Sequence, residues 1–147
     1  MMKPIDDIYE SLIQNHLLLV ESDRQFFAGF KLSQVRFFAL MHISQNPAIS
    51  LTELSRKLLC TKGNTTRIIQ GMETDGLLEV IKNQNDQRAF HLHLTGKGLA
   101  TFHQVKLEFE KFNQHRFAGL GEEKEYLLGL VAKMKNGLEK SIHPLDK

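Results

Sequence analysis

The 147-residue chain contains a single cysteine, Cys60, which excludes an intrachain disulfide framework and a cysteine-based zinc cluster and suits a reducing compartment. No stretch approaches eighteen consecutive apolar residues, and the opening "MMKPIDDIYESL" has no apolar run behind a basic head. A soluble, cytoplasmic protein without a membrane partner is therefore expected. Internal repeats and low-complexity segments are lacking as well. So are the motifs of common catalysis: there is no Gly-rich phosphate loop, no Gly-x-Ser-x-Gly elbow and no His-Glu-x-x-His pair. Neither an enzyme nor a bound cofactor is expected. A net charge of +2 is too small to imply nucleic acid by itself.

What is present is ordinary globular composition, with 41% hydrophobic and 24% charged residues, in a chain of single-domain length. The charge is unevenly spread. Residues 1–55 carry 4 Lys/Arg and 6 Asp/Glu, residues 56–97 carry 7 and 4, and residues 98–147 carry 8 and 7, so the segments are −2, +3 and +1.

Helical spacing of Ile8, Leu12, Leu19 and Val20 predicts a long first helix from Ile5 to about Phe27, ended by Gly29. Ser33 can cap a second helix that stops before Asn46 and Pro47. Ser50-Leu51-Thr52-Glu53 has the capping-box pattern and opens "LTELSRKLL", with Leu51, Leu54 and Leu58 directed inward. After a tight turn at Leu59–Thr61 comes "CTKGNTTRIIQGM", predicted to end near Thr74–Gly76 with Gly76 as a left-handed cap. Two short helices across a small turn make a helix-turn-helix. "LLEVIK" and "AFHLHL" then flank "NQNDQR" as a β-hairpin, with Phe90, Leu92 and Leu94 on one face. Two further helices follow, one carrying Phe102, Val105, Phe109 and Phe112 and the other Leu127, Leu130, Val131, Met134 and Leu138, broken by "AGLG" at 118–121. The fold class is mainly α with a small β-hairpin. The apolar terminal helices must be buried against each other and a second copy, or else in an intramolecular bundle.

One face of "CTKGNTTRIIQGM" repeats Thr65, Ile68, Ile69 and Met72, while the other shows Lys62, Gly63, Thr66, Arg67 and Gln70. The start of the second helix of a helix-turn-helix is what meets base edges in a major groove. Gly63 allows close backbone approach, Asn64 and Thr66 offer donors and acceptors, and Lys62 and Arg67 can neutralise phosphate or reach guanine. A weakly specified solvated helix would have the same composition.

The runs "LSQVRFFALMHI", "LTELSRKLLCTKGNTTRIIQGMETDGLLE" and "NDQRAFHLHLTGKG" together resemble the MarR (multiple antibiotic resistance regulator) family of winged-helix transcription factors, over about residues 31–98. The most specific pieces are Asp86-x-Arg88 followed by Leu94-Thr95-x-Lys97-Gly98, with Thr66-Arg67 and Asp75-Gly76-Leu77. The resemblance implies a homodimer on double-stranded DNA, with a winged helix-turn-helix at 31–97 and dimerisation helices at 1–30 and 98–147. It further implies a repressor of a pseudo-palindromic operator, released by a small aromatic or anionic effector. Carried onto this sequence, the DNA-binding residues are Lys62, Gly63, Asn64, Thr66, Arg67 and Gln70, with Arg88 entering the minor groove and Asp86 orienting it. The chain departs from the family pattern where Glu79, Val80 and Ile81 stand at positions often basic, which shifts expected dependence to Arg88 and Lys62, with Lys82 compensating.

Other readings of the residues stay open. Residues Phe26, Phe27, Phe30, Phe37 and Phe38 could line an effector cleft or simply form core. Cys60 could sense oxidants or pack as a small hydrophobe, with packing favoured by Leu58 and Leu59 before it. Seven histidines show no diagnostic metal spacing, so no metal site is expected. A protein-interaction winged helix without DNA binding, or a metal- or redox-responsive regulator, is the alternative function.

Overall fold

The computed structural model describes residues 3–82, 85 and 90–142. Helix α1 (Lys3–Ala28) is followed by α2 (Gln34–Gln45), a two-residue strand β1 (Ile49–Ser50), α3 (Leu51–Leu58), α4 (Lys62–Thr74), β2 (Leu78–Lys82), β3 (Phe90–Leu94) and α5 (Gly96–Arg116). A short 3₁₀ segment (Ala118–Glu123), interrupted by Gly121 at positive φ, leads into α6 (Lys124–Ser141).

Local chemistry sets most of these boundaries. Ser33 Oγ accepts from Arg36 N at 3.3 Å, Ser50 Oγ from Glu53 N at 3.1 Å, Thr61 Oγ1 from Asn64 N at 3.2 Å and Thr95 Oγ1 from Gly98 N at 3.0 Å. Each satisfies a backbone donor that a helix start leaves free. Gly76, at φ 75°, turns the chain out of α4, and Leu77 N closes back on Met72 O at 2.9 Å.

The sheet differs from the expected hairpin. It has three antiparallel strands in the order β1-β3-β2, with Ile49 opposite Leu92, Ser50 opposite His91 and Val80 opposite Leu92. Leu78 and Leu92 point into the core, while Glu79 and Ile81 face outward.

The core gathers Phe27, Phe37, Leu40, Ile43, Leu54, Ile69, Met72, Leu78, Leu92, Phe102 and Val105. Its aromatic part ties α1, α2 and α5 together: Phe27 and Phe37 stack at 5.0 Å, and Phe109 sits edge-on to Phe37 at 5.4 Å. Beside it, buried Asp23 accepts from Gln34 Nε2 at 2.7 Å. Arg116 Nη1 lies 2.7 Å from Asp23 Oδ1, a charge contact that lacks hydrogen-bond alignment, and donates to Ser22 Oγ at 3.0 Å. The Arg116 guanidinium also covers the Phe112 ring at 4.6 Å.

The two ends of the chain are different in kind. Only Asp23 and Phe27 of α1 are buried, and no residue of α6 is. Ile5, Leu18, Tyr126 and Leu128 are 64%, 70%, 73% and 69% exposed. The chain alone therefore does not form the intramolecular bundle that would have hidden these side chains. No helix among the described residues is long and apolar enough to cross a membrane.

Candidate nucleic-acid interface

Helix α4 is held by its apolar stripe. Thr65, Ile69 and Met72 are buried, and Thr65 Oγ1 donates to Thr61 O at 2.9 Å, so the one polar atom on that stripe is satisfied. Leu59, at φ 52°, makes the tight turn from α3, and Cys60 N bonds Ser55 O at 3.1 Å. Cys60 itself is half-buried, with Sγ directed to Leu58 O at 3.4 Å, as a packed small residue would be.

The opposite face brings together six of the eight residues named from sequence. Lys62, Gly63, Asn64, Arg67 and Gln70 are exposed and Thr66 is half-buried, all on α4. Their polar groups are partly pre-arranged. Arg67 Nη2 donates to Asn64 Oδ1 at 2.8 Å, which steadies the guanidinium and turns the Asn64 amide nitrogen outward as a donor. Thr66 Oγ1 donates to Lys62 O at 2.8 Å, leaving that hydroxyl its acceptor lone pairs and its methyl group. A Cβ built on Gly63 would meet no heavy atom within 4 Å, so nothing among the described residues requires glycine there. Asp86 and Arg88 lie outside the described residues. Glu79 is exposed on β2, as is Lys82 at its end.

Two features escaped the sequence. Arg36 of α2 reaches across to α4, where its Nη1 pairs with Asp75 Oδ2 at 2.6 Å; the partners are 39 residues apart and no local spacing signals them. The second is a cleft of about 420 Å³ lined by Gln34, Val35, Phe38, Met41, His42, Lys57 and Leu58. Of the five phenylalanines considered for such a cleft, only Phe38 lines it. Phe27 and Phe37 are core, and Phe26 and Phe30 pack against the core. Burial lowers the His42 imidazole pKa below its ordinary value, and the neighbouring Lys57 charge adds to the effect.

A capped short helix, a tight turn, a second helix with a free polar N-terminal face and a small sheet folded beside it define a winged helix-turn-helix. Residues 32–90 match the sequence model of the MarR family. Over 86 residues the chain is 38% identical to the HTH-type transcriptional regulator BilQ of Clostridioides difficile strain CD3, covering 58% of each. Over 82 residues it is 33% identical to the transcriptional repressor MprA of Escherichia coli K12, covering 54% of this chain and 47% of that one. The chain thus spans about half the length of these curated relatives. Among solved structures, a MarR-like transcription regulator from Bacillus cereus ATCC 10987 superposes with a TM-score of 0.82 at 27% identity, covering 92% of this chain and 99% of that one.

Proposed function

We propose that the chain is a cytoplasmic, homodimeric repressor that binds a pseudo-palindromic operator through the exposed face of α4 and the wing. The observation that carries this reading is the α4 face itself. Five exposed positions, including Lys62 and Arg67, and the half-buried Thr66 share one face of a helix anchored by its other side, and among the described residues nothing packs where a Gly63 side chain would stand. Base readout goes to Asn64, Thr66, Arg67 and Gln70, phosphate contact to Lys62, and the minor groove to Arg88 with Asp86 as its orienting partner.

Dimerisation falls to residues 1–30 and 98–147, with 31–97 left for DNA. The exposed apolar side chains of α1 and α6 support this, since large exposed apolar surfaces mark interfaces. A twofold axis would set the two α4 helices about 34 Å apart, one turn of B-DNA. The effector is a small aromatic or anionic molecule seated in the α2–α3 cleft. Val35, Phe38, Met41 and Leu58 offer apolar walls there, and Lys57 and His42 offer cationic or donor groups.

Selection of bound duplexes from genomic DNA, followed by titration of the winner, tests the reading. A twofold sequence bound by the dimer is expected. If no sequence is enriched above competitor DNA, the DNA-binding reading gives way to a protein-interaction role.

A further inference from the structure

We propose that Arg36 is a positioning residue for the DNA-reading helix, acting through Asp75 across a gap that Gly71 keeps open. The proposal rests on the reading that α4 contacts DNA. Arg36 leaves α2, crosses the C-terminal half of α4 and pairs with Asp75, the residue that ends α4. A Cβ on Gly71 would overlap Arg36 Nη2, so the guanidinium can take this path only because residue 71 has no side chain. The end of α4 is tied a second time by Lys97, whose Nζ donates to Asp75 O at 2.7 Å. Arg36 thus links α4 to α2, and Lys97 links it to α5.

The pair is not a stability device. The Arg36 and Asp75 side chains are 27% and 54% exposed, and ion pairs this open to water contribute little to folding. Its geometry does more than its energy. α4 is held to the core by its buried stripe of Thr65, Ile69 and Met72, and to β2 by Glu73 Oε2, which accepts from Val80 N at 3.3 Å; the Arg36 pair adds a tie to α2. A tether at the far end from Lys62 and Gly63 fixes the angle at which those residues meet a groove. Because α2 also supplies Gln34, Val35, Phe38, Met41 and His42 to the cleft, the tether joins the cleft wall to the DNA-reading helix.

Gly71→Ala is the sharpest test, because it changes no charge and its new methyl group displaces only the flexible end of Arg36. Gly71→Ala, Arg36→Ala and Asp75→Asn are each expected to weaken binding to the selected operator roughly three- to tenfold. Binding of Gly71→Ala to an unrelated duplex, and its salt dependence, should stay as in the wild type. The Arg36→Ala/Gly71→Ala double variant should be no weaker than Arg36→Ala alone, since one interaction is lost once. Additive losses, or an equal loss on unrelated DNA, would overturn the proposal. Amide exchange supplies an arm independent of DNA. The Gly76 and Leu77 amides, which close the end of α4 on Glu73 O and Met72 O, should exchange faster in all three single variants. Unchanged exchange would also overturn it. If the wild type selects no DNA, the operator reading fails while the exchange arm still decides whether the tether exists.

Discussion

Gly63→Ala separates folding from function at one atom. Gly63 is the second residue of α4, is exposed, has no positive φ and faces open space where a Cβ would stand. Alanine there meets no steric cost and removes the entropic penalty of a helical glycine, about 1 kcal/mol in a helix interior and less in a first turn. A gain of about 0.3–1 kcal/mol should raise the melting temperature by about 1–4 °C for a chain of this size. On DNA the sign reverses. If the start of α4 lies against a groove, the new methyl group enters a close contact, where an inserted methylene costs about 1–3 kcal/mol. Affinity for the operator should therefore fall at least roughly fivefold. Thermal unfolding at fixed protein concentration and fluorescence anisotropy on a labelled operator measure the two effects. A more stable variant that binds DNA as tightly as the wild type would show that Gly63 is not at the groove, and the assignment of this face would fail.

Four further expectations follow from the same geometry. With Lys62 from each of two protomers on phosphate, the slope of log affinity against log salt should be about −2 or steeper, and Lys62→Ala should reduce its size by about 2; a flat salt response refutes the DNA reading. Gly98→Ala should cost about 2–4 kcal/mol in urea unfolding, because its Cβ would strike the Leu77 backbone carbonyl, which no side-chain rotation relieves; a variant as stable as the wild type refutes the packing of α5 on the wing base. His42, with its folded pKa below 6.5, binds fewer protons when folded than when unfolded, so its share of stability is full above about pH 6.5 and is lost as pH falls toward its folded value. His42→Gln should flatten that part of the stability profile, and an unchanged profile refutes it. Leu18→Glu, at a position 70% exposed in the single chain, should leave each protomer folded but yield monomers by sedimentation and abolish operator binding; an unaltered dimer refutes the proposed interface.

The legible parts of the fold are those written in short-range patterns. Ser33, Ser50 and Gly76 act as caps where their residue types predict it, because capping is decided within four residues. The two faces of α4 were readable for the same reason, since Thr65, Ile69 and Met72 recur at helical spacing. Strand β1 was not readable. Two residues carry no periodicity, and Ile49–Ser50 is a strand only because β3 pairs with it after Ala48 turns the chain at φ 65°. His91 Nδ1 lies 2.7 Å from Ala48 O at that turn, across 43 residues of sequence. The cleft was hidden likewise, because α2 and α3 meet there through residues 34–42 and 57–58, and the conspicuous phenylalanines mostly serve the core instead. The wing residues Asp86 and Arg88 lie outside the described residues.

Helix α1 carries an argument about assembly that no single contact supplies. A helix packed on one neighbour buries one stripe and leaves the rest polar. Along Leu17-Leu18-Leu19-Val20, four successive apolar side chains sweep about 300° around the axis. All four are exposed in the single chain, at 62%, 70%, 39% and 41%. One flat partner surface could cover only part of that sweep, so the pattern calls for a helix gripped from several sides. A twofold partner meets this need economically, because each α1 can lie between helices of both chains, and α6, with Leu127, Leu128, Leu130 and Val131 exposed, offers a matching apolar surface. Polar anchors of α1 come one turn after that stretch, where Asp23 holds Gln34 and Arg116. The helix is thus fixed to its own winged helix by its last turns and left open along the rest. In the proposed dimer, whatever covers the open length sets the angle between the two winged helices, and hence which operator spacing they can span.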